Sequence, residues 1–250
     1  HPELLDYLAE VFVRRGWSVK QMIRQIVLSR TYQLASHHDS DSLAADPDNL
    51  WMARHQRRRL DAESLRDSIL QVTGTLDYSP QRGSAIEKID TLINWPPGEA
   101  INLHRESNHR SIYLCMLRHA PPPELVAFDL PDAVGITGQR EITTLPTQAL
   151  FLLNSDFVVS QARIHAGNLL ESANNKGHGP AAEEARVRRV FQTCFQRLPT
   201  EVELQQSMDY LVAIDAHLKK TERDAGKRRY RVWQNFCQAM LMTNEFRYVD

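Results

Sequence analysis

The absences in this chain narrow its chemistry first. It has three cysteines, Cys115, Cys194 and Cys237, and none belongs to a CxxC pair or a CxxCH haem-attachment motif. A CxxC site and covalent haem attachment within these residues are therefore excluded, and the odd count leaves at least one cysteine unpaired within the chain. No apolar run approaches the roughly 20 residues that cross a bilayer, so no membrane span is expected, and no signal peptide is visible. GxxxxGK[ST], GxGxxG, HExxH and GxSxG are all missing, so neither a phosphate loop, a dinucleotide turn, a zinc-protease helix nor a nucleophile elbow is written here. Charge of one sign is missing too. Thirty Lys and Arg stand against 31 Asp and Glu, a net charge of -1, which gives no global attraction to nucleic acid. The chain opens on His1-Pro2 rather than Met, as expected of a piece of a longer protein.

What is present is the composition of an ordinary globular protein. Of 250 residues, 42% are hydrophobic and 24% charged, enough to bury a sizeable core. Pro2 suits a first helical position, and Leu4, Leu5, Leu8, Val11 and Phe12 form a helical face that Gly16 ends. Ser18 with Gln21 reads as a capping box for a second helix reaching about Leu34. Asp61 is placed to cap a third, with Leu65, Ile69 and Val72 inward and Gly74 as its stop. The C-terminal half returns to helix: a turn from Thr144 or Thr147 to Leu153, a longer helix from Ser155 or Asp156 to about Leu170, then 181–197, 201–218 and 223–242. Thr200 with Glu203 makes a second capping box. The fold class expected is mainly α, a helical core with a long irregular central segment and at most a short strand pair. Its division would be residues 1–173 and a three-helix subdomain at 180–250, packed as one unit.

Between about Leu76 and Thr144, prolines and glycines recur too often for long helices. Ser111–Leu117 is the best short strand there, and Pro122–Leu130 a short helix. Such a long irregular stretch is usually functional or draped over a core. It holds His104, His109 and His119 among Arg105, Glu106, Arg110 and Arg118. Spacings of five and ten residues match no metal-ligand pattern, so no metal is assigned, and loop histidines with surface charge explain the cluster more simply. It runs into Arg140–Ser155, REITTLPTQALFLLNS, whose Arg140, Gln148 and Asn154 are expected to bond backbone groups. A buried pair of Arg140 with Asp129 or Glu106 would fit that role. Cys194 and Cys237 lie on apolar stripes and read as small buried hydrophobes rather than as a disulfide. Trp17 and Trp233 read as core, while Trp95, before Pro96-Pro97-Gly98, is placed where an exposed indole could stack on a sugar. The basic run Lys227-Arg228-Arg229-Tyr230-Arg231 lacks the aromatic interleaving of a nucleic-acid site.

PTQALFLLNSDFV, QRLPTEVEL and the closing CQAMLMTNEFRYVD, with the opening HPELLDYLAEVFVRRGWSVKQMIRQIVLSRTYQLAS and the helix RRRLDAESLRDSILQVTG, resemble a C-terminal domain family of unknown function, DUF1553, abundant in planctomycete bacteria. The resemblance runs along essentially the whole chain. It implies a secreted or periplasmic parent with a cytochrome-c-like segment upstream. Any haem would belong to that upstream domain, with no cofactor in these residues, and the partners would be other domains of the same chain. No catalytic residues come with the family. Two readings follow: a non-catalytic structural or interaction module of a large exported, cytochrome-c-linked protein, or an enzyme or binding domain acting on extracellular polysaccharide through His104, Arg105, His109, Arg140 and Trp95.

Overall fold

The computed structural model describes residues 1–36, 40–81, 107–116, 121–132, 135–171, 177 and 179–249. They fall into two compact units, His1–Arg59 with Tyr248–Asp250 and Leu60–Arg247. Mainly α architecture is what the sequence predicts, and helix dominates both.

In the first unit, α1 (Pro2–Arg14) and α2 (Val19–Val27) form a hairpin. The turn between them needs two left-handed residues, Gly16 (φ 68°) and Trp17 (φ 59°). The Ser18 hydroxyl accepts from the Gln21 amide, as the capping pattern predicts. α2 stops well before Leu34. The Ser29 hydroxyl donates to the Ile26 carbonyl and accepts from the Tyr32 amide, which diverts the backbone from helical bonding. Trp17 is not core: it is 67% exposed, its ring edge-on to Phe12 at 5.3 Å between centroids. Two helices this short cannot enclose both of their apolar stripes, and Val11 is the only residue of α1 that is buried. After α3 (Ser40–Ala45) the Asp46 carboxylate accepts from the amides of Leu50 and Trp51. Arg58–Arg59 (β1) pairs antiparallel with Tyr248–Val249 (β2). The short strand pair exists, but away from Ser111–Leu117.

The second unit carries α4 (Ala62–Val72), a 3-10 turn at Ser111–Tyr113, α5 (Pro123–Val126), α6 (Pro146–Asn154), α7 (Asp156–Glu171), α8 (Pro180–Phe195), α9 (Glu201–Leu218), α10 (Ala225–Met242) and α11 (Asn244–Arg247). α10 is the hub, packing against α6, α7, α8, α9 and α11. Its face of Trp233, Phe236, Cys237 and Leu241 is buried with Val158, Ala162 and Ala166 of α7 and Val187 and Val190 of α8. Small residues at 162 and 166, one turn apart on α7, are what lets α10 approach closely. Burying a side chain the size of Val187 or Phe236 contributes about 1.5–3 kcal/mol. Trp233 is core as predicted, and its indole N–H donates to Glu183 at 2.9 Å.

α4 starts where Asp61 predicts, its carboxylate accepting from the Ser64 amide at 2.7 Å, and stops at Gly74 (φ 74°). α9 has the full capping box of Thr200 and Glu203. α6 differs from expectation. Neither Thr144 nor Thr147 caps it; Leu145 stands at the N-cap with no side-chain bond, and Pro146 supplies the pre-set first turn. Of Leu150–Leu153 only Leu152 is fully buried, while Leu150 and Leu153 face solvent.

Candidate functional site

α4 is where the residues nominated from sequence meet the fold. Its polar face carries Glu63, Arg66 and Asp67, positions three and four apart and so side by side on the helix. Arg140, in the approach to α6, grips Glu63 with both guanidinium arms, Nη1 to Oε2 at 2.6 Å and Nη2 to Oε1 at 2.7 Å. This bidentate bond holds the Glu63 carboxyl below its usual range and raises Arg140. Arg140 thus takes Glu63 rather than the Asp129 expected, and the pair is half-exposed rather than buried; Glu106, the other partner expected, lies outside the described residues. Asp129 accepts instead from the amide (2.9 Å) and hydroxyl (2.6 Å) of Thr143.

Arg66 is only 3% exposed. It donates to the His109 carbonyl (2.9 Å), the Ser111 hydroxyl (3.3 Å) and the Ser107 carbonyl, and its guanidinium lies 5.5 Å over the Phe157 ring. Burial lowers its pKa, opposed by the charges of Glu124 and Asp67. Next to it, Asp67 accepts from both the amide and the hydroxyl of Ser111, each at 2.7 Å. These bonds fix Ser111 against α4 and explain why Ser111–Tyr113 turns as 3-10 helix, since an amide held by a carboxylate cannot join a strand ladder.

His109 sits in an isolated parallel bridge with Asp77. Its Nδ1 lies 3.1 Å from Asp77 Oδ2 and 3.3 Å from Gln81 Nε2. That nitrogen can donate to the first or accept from the second, but not both at once. Asp77 is held below its usual range chiefly by the Ser79 amide. His109 and Arg140 are therefore both tied to α4 or its flank, one through its backbone carbonyl and one through its side chain. Trp95, His104 and Arg105 lie outside the described residues, as does His119.

The far end of α4 is gripped from α7. Gln161 Oε1 accepts from the hydroxyls of Thr73 (2.6 Å) and Thr75 (2.9 Å), Asn168 donates to the Thr73 carbonyl (2.9 Å), and His165 Nδ1 bonds the Val72 carbonyl (3.1 Å). That last bond places the ring proton on Nδ1. Burial pushes the His165 pKa down and keeps it neutral.

Sequence reading missed the joints between the motifs themselves. Arg197, in QRLPTEVEL, forks onto Glu203 (2.8 and 2.6 Å) and onto Glu245 (2.6 and 2.7 Å) of the closing segment. Its guanidinium also lies over the rings of Phe191 and Phe195. These bonds raise Arg197 and hold Glu203 down at about 2. Gln238, in CQAMLMTNEFRYVD, donates to the carbonyls of Leu152 and Leu153 at the end of PTQALFLLN. Gln148 bonds the Thr143 carbonyl of the irregular segment, as expected, whereas Asn154 bonds the Leu150 carbonyl within its own helix. The one signal in the sequence was the placing of an arginine or glutamine at each motif edge, which does not name a partner.

None of the three cysteines is in a disulfide. Burial pushes the Cys194 thiol up to about 12 and Cys237 higher than its usual value, so neither is a thiolate at neutral pH. Among the described residues, no group of three His, Cys, Asp or Glu could hold a metal ion, and no helix is long and apolar enough to cross a membrane.

Fold and polar anchors together define a mainly α-helical module whose sequence motifs are joints between helices. The chain belongs to the family described as PSD1, protein of unknown function (DUF1553), whose model matches residues 1–211. The match ends inside α9, so Glu245 and Gln238 lie beyond it. No curated protein and no solved structure matches the chain.

Proposed function

We propose that the chain is a non-catalytic structural or interaction module of a large exported, cytochrome-c-linked protein, in contact with other domains of the same parent. One observation carries this reading: the polar side chains of the motifs are engaged with one another or with backbone carbonyls. Arg140 with Glu63, Asp129 with Thr143 and Arg197 with Glu203 and Glu245 each close on a partner inside the fold. A group already forked onto a structural carboxylate is poorly placed to act on a substrate. The exported, haem-linked setting rests on the resemblance of the motifs, under which any haem would belong to a domain upstream.

The test uses the full parent chain and the isolated chain side by side. The isolated chain is expected to melt cooperatively, to leave a panel of extracellular polysaccharides uncut, and to bind the haem-bearing segment of its parent in a pull-down of purified pieces. Turnover of any polysaccharide that His109→Ala or Arg140→Ala abolishes without moving the melt would overturn the reading in favour of an enzyme.

A further inference from the structure

The basic run on α10 divides by helical periodicity. Arg228 turns inward to Asp215 (2.8 Å) and Arg229 to Glu183 (2.8 Å). Lys227 and Arg231, four residues apart and so on one face, turn the other way. They line an open groove of about 650 Å³ that Arg163 of α7 lines as well. All three are exposed, and their charged ends make no hydrogen bond or ion pair with a described residue. Elsewhere in this unit Arg66, Arg140, Arg186, Arg197, Arg228 and Arg229 all close on carboxylates or carbonyls.

The floor of the groove is fixed. The Tyr230 hydroxyl donates to the Arg163 carbonyl at 2.7 Å, and the ring rests on Gly167, where an added Cβ would stand 3.4 Å from that hydroxyl. Two carboxylates are near. Glu222 lines the groove with one oxygen on the Asp224 amide. Asp224 accepts from the Lys227 amide and feels the Lys227 charge, which helps to lower its pKa. The first amides of α10 are thus already capped, and attraction for an anion rests on the three side-chain cations.

The geometry points to an oxyanion-binding groove formed by Arg163, Lys227 and Arg231, suited to a sugar-sized ligand bearing two or more phosphate- or sulfate-type groups. Size sets one bound, since small-molecule sites run from roughly 300 to 1,000 Å³. Charge sets the other. A single exposed ion pair contributes little, so one anionic group would not be held. Lys227 and Arg231 stand about 6 Å apart along the helix axis, room for two such groups, and Arg163 adds a third cation to the lining. The guanidinium fork matches tetrahedral oxyanions. With a net charge of -1 the chain has no field to draw a long polyanion, which favours a compact ligand. The inference is independent of the module reading above.

Titration calorimetry on the whole chain at low salt, with pyrophosphate and sucrose octasulfate as probes and sucrose as neutral control, tests it. Binding of at least one probe is expected, and which one binds tells phosphate from sulfate. Affinity should fall about tenfold or more in R163E/R231E and in high salt, the screening expected of exposed charges. K20E/R30E, which removes the same charge from residues that do not line the groove, should bind as the parent does. If the reversed variant fails to fold, by circular dichroism, R163Q/K227Q/R231Q serves in its place. No binding of either probe, or binding that survives these substitutions, overturns the assignment.

Discussion

Removing the Arg66 side chain, itself buried, would strip three acceptors of their donor and leave Asp67 with Arg110 alone as a cationic neighbour. Arg66→Ala is expected to cost about 3–5 kcal/mol, measured as a fall in the urea midpoint with unchanged slope. Arg140→Ala should cost under about 1 kcal/mol, because its partner is reached at the surface. The titrating groups separate by pH. His165 is neutral in the fold with a lowered pKa, so the unfolded chain binds the extra proton. Its contribution is intact above the ordinary histidine value near 6.5 and drains away as pH falls below it. Glu63 and Glu203 are also lowered, so theirs holds above the carboxylate range near 4.5 and is lost below it, down to about 2 for Glu203. Melting followed from pH 8 down to about 3 should show two declines, and His165→Gln should erase the upper one alone. A single decline below the carboxylate range in the parent would contradict the buried neutral histidine.

At the level of elements, helices were legible where a cap or a stop is a single residue. Ser18, Asp61, Thr200 and Gly74 each act on their own neighbours in sequence, so local chemistry suffices to find them. Ser111 shows why other segments were not: its conformation is decided by Asp67, which lies 44 residues away. Arg140 and Arg197 were visible as charged residues in conspicuous positions, yet the acids they select, Glu63 and Glu245, depend on tertiary packing. Trp17 misled because an indole beside an apolar stripe reads as core, whereas the left-handed turn at Gly16 carries it outward. The close approach of α7 to α10 makes its own prediction. Ala162→Leu or Ala166→Leu would force side chains into a filled contact and cost about 1–3 kcal/mol, read from thermal melts. Gly74→Ala has room, with Asn168 Nδ2 at 3.9 Å, but must hold a left-handed φ, at about 1 kcal/mol.

Across the whole molecule, the ties that define the second unit join segments far apart in the chain. Thr73 and Gln161 are separated by 88 residues, Leu152 and Gln238 by 86, Glu63 and Arg140 by 77. A helical protein built only from neighbouring hairpins gains most of its contacts early in folding; here many of the polar anchors require long loops to close first. Stopped-flow refolding should therefore be slower than helical content alone suggests, and Gln161→Ala should mainly speed unfolding if its bond forms after the transition state.

The clasp of Arg197 on Glu245 has a consequence in the order of synthesis. Its second acid, and the glutamine that reaches the end of α6, are translated after the segments they hold. During translation, PTQALFLLN and QRLPTEVEL emerge with their partners still to come, and a carbonyl at Leu153 or a guanidinium at 197 waits in water. The second unit closes only when α10 and α11 arrive, because α10 is the helix on which α6, α7, α8 and α9 pack.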